Sequence, residues 1–118
     1  MHSQEELQSA ILEAIADKKG RSTVILDLAK IESASAPEFI ITQGQSTSQV
    51  SAIADNIVEE VNKRLDVKPY HSDGFRNATW IILDYGSIMV HVFHPEAREF
   101  YNLEELWSDG QRTDLPDE

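Results

Sequence analysis

The sequence predicts an α/β chain of the α+β sandwich type: a mixed β-sheet with packed helices, in the order α-β-β-α-β-β-α. Three observations lead there. Two long stretches carry apolar residues at helical spacing. Four short segments run β-branched and aliphatic residues together. The breaks between them fall at glycine, proline and helix-capping residues.

The first helix is written by Leu7, Ala10, Ile11, Ala14 and Ile15, which follow i, i+3, i+4, i+7, i+8. Ser3 and Glu6 have capping-box spacing before it, and Gly20 after Lys18-Lys19 is its stop. "TVILDL" then reads as a short buried strand, and "EFIIT" as a second one after a loop closed by Pro37. Gly44 ends that strand, and Ser46 with Gln49 offers a second capping box. Val50, Ile53, Ala54, Ile57, Val58, Val61 and Leu65 trace the long second helix. A turn at "DVKPY" and a glycine loop at "SDGFRNA" lead to "TWIILDY" and "SIMVHVF", a hairpin turning at Tyr85-Gly86. Pro95 suits the first turn of a third helix with "PEAREFYNLEELW" as its body. Residues 1–107 therefore read as a single domain, and the acidic residues 108–118 are expected to fray as a tail.

Composition narrows the function. The chain has 118 residues and no cysteine, which removes thiol nucleophiles, thiolate metal sites and disulfides. Its formal net charge is −11, with 9 acidic and 4 basic groups in residues 1–59 and 12 and 6 in residues 60–118. Such a surface repels nucleic-acid phosphate and anionic membranes and favours a basic partner, although acidity also serves solubility. No apolar run is long enough to cross a bilayer, and "MHSQEELQ" lacks the pattern of a secretion signal, so a cytoplasmic protein is expected.

"DYGSIMVHVFH" gathers Asp84, Ser87, His91 and His94 within a few residues. With Asp84 and Ser87 flanking the turn, Trp80 would face His91 and Ile82 would face Met89. Alternation puts Ile81, Leu83, Ile88, Val90 and Val92 on one aliphatic face, and Trp80, Ile82, Met89, His91 and Phe93 on the other. The first is a core face. The second fits an interface centre and a second core layer equally well.

Catalysis finds little support. His91 and His94 are three apart on an extended strand, so they point to opposite faces and cannot share a metal ion. Ser87 lies in a turn rather than a nucleophile elbow, and no G-x-S-x-G exists. Gly86-Ser87 followed by Val90-His91-Val92 lacks the paired carboxylates that a nucleotidyltransferase needs for magnesium. No phosphate-binding loop appears. No cofactor, metal or catalytic residue is therefore expected.

The ordered segments "VILDL", "EFIITQGQSTSQVSAIAD", "DG", "WIILDYGSIMVHVF" and "REFYNLEELW" resemble the ribosomal silencing factor family, also called Iojap-related, over roughly Leu7 to Trp107. The resemblance implies a nucleotidyltransferase-like fold without catalytic residues. It also implies a non-enzymatic repressor of translation when nutrients are scarce. Such a protein binds the large ribosomal subunit through ribosomal protein fourteen and blocks association with the small subunit. It carries over a partner-facing set of Trp80, Leu83, Asp84, His91, Phe93 and Asp73. Arg98, Tyr101, Leu103, Glu104, Leu106 and Trp107 match a segment expected to pack, with Arg98 and Glu104 at the surface. Pro37-Glu38 stands where relatives carry an aspartate, Asp73-Gly74 replaces glutamate-glycine, and Gly86-Ser87 replaces Gly-Asp. Asp84, Asp73 or Glu38 is then expected to supply the missing charge. The expected protein is a monomer or weak homodimer that reads no nucleic-acid sequence and binds no membrane. The rival readings are a residual nucleotidyltransferase or hydrolase using His91 and Asp84, and a homodimeric interaction module.

Overall fold

The computed structural model describes residues 2–117. Helix α1 (Gln4–Asp17) leads into strands β1 (Arg21–Asp27) and β2 (Glu38–Gln43). Helix α2 (Thr47–Leu65) is followed by strands β3 (His71–Asp73), β4 (Trp80–Asp84) and β5 (Ile88–Phe93). Short helices α3 (Pro95–Tyr101) and α4 (Leu103–Leu106) precede a last strand, β6 (Gln111–Asp114). The strands form one six-stranded sheet in the order β3-β4-β5-β2-β1-β6. Its central pair, β2 and β5, is parallel, and every other pair is antiparallel. The mixed α+β architecture is as expected, with three short elements added: β3, α4 and β6.

Helices α1 and α2 lie together on one face of the sheet. The stripe Leu7, Ala10, Ile11, Ala14 and Ile15 is buried there, with Val50, Ile53, Ala54, Ile57 and Val61 from α2. Beneath them sit Ile40, Ile81, Leu83, Ile88, Val90 and Val92. Each leucine, isoleucine and valine among them contributes roughly 1.5–3 kcal/mol when taken fully from water, so burial of this face is a large favourable term.

The capping reading holds in full at α1, where Ser3 Oγ accepts from Glu6 N and the Glu6 carboxylate accepts from Ser3 N. At α2 it holds in half. Ser46 Oγ accepts from Gln49 N, but Gln49 Oε1 accepts from Gln45 N, and its Nε2 donates to the carbonyls of Lys18 and Lys19. One side chain thus ties the start of α2 to the end of α1, satisfying carbonyls a helix end leaves unpaired. The left-handed residue ending α1 is Lys19, with φ +62°, rather than Gly20. Gly20 is needed for space, because a side chain there would meet Ile15.

Two expectations need correction. The hairpin register is Trp80 opposite Phe93, Ile82 opposite His91 and Asp84 opposite Met89, two residues from the predicted one. The tight turn is Gly86-Ser87, with Tyr85 N donating to the Ile88 carbonyl. Tyr85 is 4% exposed and belongs to the helix-side core, so its burial draws it out of the turn, and Gly86 accepts φ +86° instead. A shift of two keeps every side chain on its predicted face, whereas a shift of one would have exchanged the faces.

The second correction concerns the tail. Residues 108–118 were expected to fray, but β6 pairs with β1 from Gln111 opposite Asp27 to Asp114 opposite Val24. Leu115 N extends the ladder to the Thr23 carbonyl at 2.9 Å. The exposed edge of β1 supplies unpaired backbone groups that a polar segment can satisfy, a pull that hydrophobic patterning does not register.

Ending the chain after Asp109 is expected to lower unfolding free energy by about 2 kcal/mol or more, through the lost ladder bonds. Urea titration followed by circular dichroism checks this, and an unchanged midpoint would return the segment to the status of a frayed tail. Gly74 has φ +96°, and a Cβ there would strike the Trp80 carbonyl. Gly74→Ala is accordingly expected to cost about 2 kcal/mol or more by the same measurement and to loosen β3 from β4.

Candidate functional site

The face of β4 and β5 opposite α1 and α2 is divided. At one end Phe93 and His91 join Phe39 and Ile41 of β2 and Val24 and Leu26 of β1. Leu103 of α4 and the nearby Trp107 close over them, helped by Leu28, Ile31, Ala34 and Ala36 from the β1–β2 loop. At the other end nothing covers Ile82, Asp84 and Met89 completely, and β3 continues the strip with exposed His71 and Asp73. His71 stands opposite Asp84 across the ladder, and Asp73 opposite Ile82. Of the two expected alternatives, a core layer is present at one end, and the other end stays partly open.

Trp80 lies on the boundary between the two halves. Its ring stacks on Phe93 with centroids 5.1 Å apart and meets Tyr101 at 4.6 Å. Its indole Nε1 donates to His91 Nδ1 at 3.1 Å. Half of Tyr101 is exposed, so the Trp80–Tyr101 pair forms an aromatic edge beside the open strip.

The predicted contact residues therefore separate. Trp80, Asp84 and Asp73 reach the surface at this strip. Leu83 does not: alternation turns it away from Ile82 and Asp84 to the helix side, where it is 0% exposed. Phe93 at 0% and His91 at 3% lie on the outward face but under α3 and α4, so neither is exposed at the strip. Ile82 and Met89 are the partly buried apolar residues of the open strip. Alternation had put them on this face, and the position of the C-terminal helices leaves them partly exposed, with Met89 also packed against the second core cluster.

The acidic candidates also separate. Asp73 Oδ1 accepts from Gly74 N at 2.8 Å, and Asp84 Oδ1 accepts from Gly86 N at 2.8 Å. Each carboxylate anchors its own turn with one oxygen. Glu38 faces α1, where it accepts from Gln4 Nε2 at 3.0 Å and Gln8 Nε2 at 2.8 Å, so it supplies no charge here. Arg98 and Glu104, expected at the surface, form an ion pair at 3.6 Å with side chains 9% and 13% exposed. Arg98 also donates to Gln43 Oε1 at 3.1 Å, joining α3 and α4 to the end of β2. Burial lowers the Arg98 pKa, with Glu104 opposing the shift.

His91 is the unusual group. With Nδ1 accepting from Trp80, the neutral ring carries its proton on Nε2, which is buried and has no partner among the described residues. Burial pushes its pKa down from 6.5 to about 3. The ring is thus neutral at physiological pH, packed against Phe39 at 4.6 Å. Among the described residues no group of three or more His, Asp or Glu side chains is placed to hold a metal ion.

Because the unfolded chain takes up the His91 proton near pH 6.5 and the folded one only near 3, its contribution is complete above 6.5 and falls away below it. Between pH 6 and 4.5 the loss is expected to rise from about 1 toward about 1.4 kcal/mol per pH unit. Denaturant titrations across that range check it: His91→Phe should flatten the slope relative to the parent chain, and parallel slopes would contradict the burial of an uncharged ring.

The family model described as ribosomal silencing factor during starvation matches residues 1–118. The Ribosomal silencing factor RsfS of Halalkalibacterium halodurans is 38% identical over 115 residues, which is 98% of this chain and 96% of that protein. A mouse protein named Mitochondrial assembly of ribosomal large subunit protein 1 is 36% identical over 73 residues, covering 59% of this chain and 32% of its own length. A crystal structure of a Chromobacterium violaceum protein superposes with a TM-score of 0.85 at 30% identity, over 98% of this chain and 92% of that one. Sequence and fold agree over 98% of the chain, which belongs to the ribosomal silencing factor family.

Proposed function

We propose that this chain represses translation by binding the large ribosomal subunit through ribosomal protein fourteen and blocking the small subunit sterically, with no reaction catalysed. The observation that carries the reading is the half-open face of the β3-β4-β5 ribbon. Trp80, Ile82 and Met89 form an apolar centre, Tyr101 an aromatic edge, and Asp73 and Asp84 an acidic rim. A central aromatic anchor bordered by charges is how compact interfaces concentrate binding energy. A chain of net charge −11 steers such a face toward a basic protein and away from exposed rRNA. The name of the mouse relative, which refers to the large subunit, fits the same partner.

Co-sedimentation with purified subunits on sucrose gradients tests the reading. The protein should travel with the large subunit and lower the yield of joined ribosomes; remaining at the top of the gradient at low salt would reject it. Trp80→Ala is expected to weaken binding to the isolated partner by about 2 kcal/mol or more. Because Trp80 also packs on Phe93, Ile82→Arg is the companion variant. It leaves the core untouched, places a cation toward a basic partner, and should weaken calorimetric affinity at least about tenfold. Normal affinity in both would move the interface elsewhere. Asp84→Lys should slow association and flatten its salt dependence, which stopped-flow mixing at two ionic strengths reads directly.

A further inference from the structure

Where β1 begins, two open crevices adjoin and share Ser22 and Asp117. The larger, about 500 Å³, is bordered by Lys19, Arg21, Gln45 and Gln49. The smaller, about 310 Å³, is bordered by Arg98 and Arg112. Four of the ten basic residues of this acidic chain therefore gather at one spot. Two of them are neutralised: Arg98 by Glu104, and Arg112 by Asp114 at 2.6 Å. Lys19 has no ion pair among the described residues, and Arg21 has only a loose one, 3.8 Å from Asp117.

Asp117 occupies the crevice in the manner of a bound anion. Ser22 takes φ +51°, and its N–H donates to Asp117 Oδ1 at 2.7 Å. The bond is easily released, since the Arg21 and Asp117 side chains are 45% and 40% exposed and such pairs are worth little. The β-ladder holds the chain only as far as Leu115, so Pro116 and Asp117 can leave while β6 stays paired. Gln45 and Gln49 bring the N-terminal turn of the 19-residue helix α2 to the same space, and its dipole adds positive potential there.

We propose that this crevice is an anion-binding site for a compact phosphate-bearing small molecule, with Asp117 as an intramolecular competitor that fills it in the isolated chain. A phosphate group carries more charge and more acceptor oxygens than a carboxylate, so it gains more from Lys19, Arg21 and the Ser22 N–H. A small ligand fits better than a nucleic acid, because the field of the whole chain repels an extended polyanion while the local donors act only at short range. The proposal stands on a different surface from the ribosome-facing strip and does not depend on it.

Titrating the full ¹⁵N-labelled chain with pyrophosphate, followed by amide shifts, tests the site. Saturable shifts are expected at Arg21, Ser22 and Thr47. Asp117→Asn should tighten pyrophosphate binding about fivefold by removing the competitor, and Arg21→Gln should weaken it about tenfold. Both positions are exposed, and matching spectra of the unliganded variants establish that they fold. No saturation at these amides, or equal affinities for parent and Asp117→Asn, would overturn the proposal. A short single-stranded RNA run in parallel separates the sources of phosphate. Shifts with RNA but none with pyrophosphate would overturn the small-molecule assignment.

Discussion

The orientation of the candidate site depends on the packing of one aliphatic face beneath two helices. Ile81, Leu83, Ile88, Val90 and Val92 are fully buried against α1 and α2. That burial fixes the parity of β4 and β5, since slipping either strand by one residue would carry the whole aliphatic set into water. Trp80, Ile82, Asp84 and Met89 face away from the helices because their neighbours cannot. A site made of alternating residues on a ribbon inherits its orientation from the core on the reverse side.

The second constraint is the short α3–α4 segment, which decides how much of that outward face stays open. It is held by an ion pair almost closed to solvent, Arg98 with Glu104, and by the Arg98 contact to Gln43. Breaking one partner of such a pair is costly even where the pair itself adds little net stability, so the segment has a defined seat rather than a greasy one. It covers Phe93 and His91 and stops beside Trp80. Trp80 therefore belongs to two structures at once. It is packed and hydrogen-bonded on the inside and presents its outer edge to solvent, which is the property that suits a rigid aromatic anchor.

Charge is distributed with the same economy. Acidic residues outnumber basic ones 21 to 10, whereas four of the ten basic residues gather where β1 begins and the C-terminal segment returns to it. A global field of one sign with a local cluster of the other separates two kinds of recognition. Long-range steering of this kind favours a basic macromolecule, and short-range donors favour a small anion, as the two proposals require.

The sequence by itself determined the elements whose signal is periodic and local. The stripe from Leu7 to Ile15, the capping box at Ser3 and Glu6, the four long strands and the two faces of the hairpin follow from spacing and residue type. It also supplied the family through ordered segments, and with it Trp80, Asp84 and Asp73 at a surface strip. Only the tertiary structure decided the rest, because those features are set by partners distant in the chain. The turn moved to Gly86-Ser87 because Tyr85 had a core to enter. The tail became β6 because β1 had an open edge. Glu38 and Leu83 were lost to the helix side, and Phe93 and His91 were covered by α3 and α4. Periodicity states which way a side chain points, whereas burial depends on what the fold brings to stand over it.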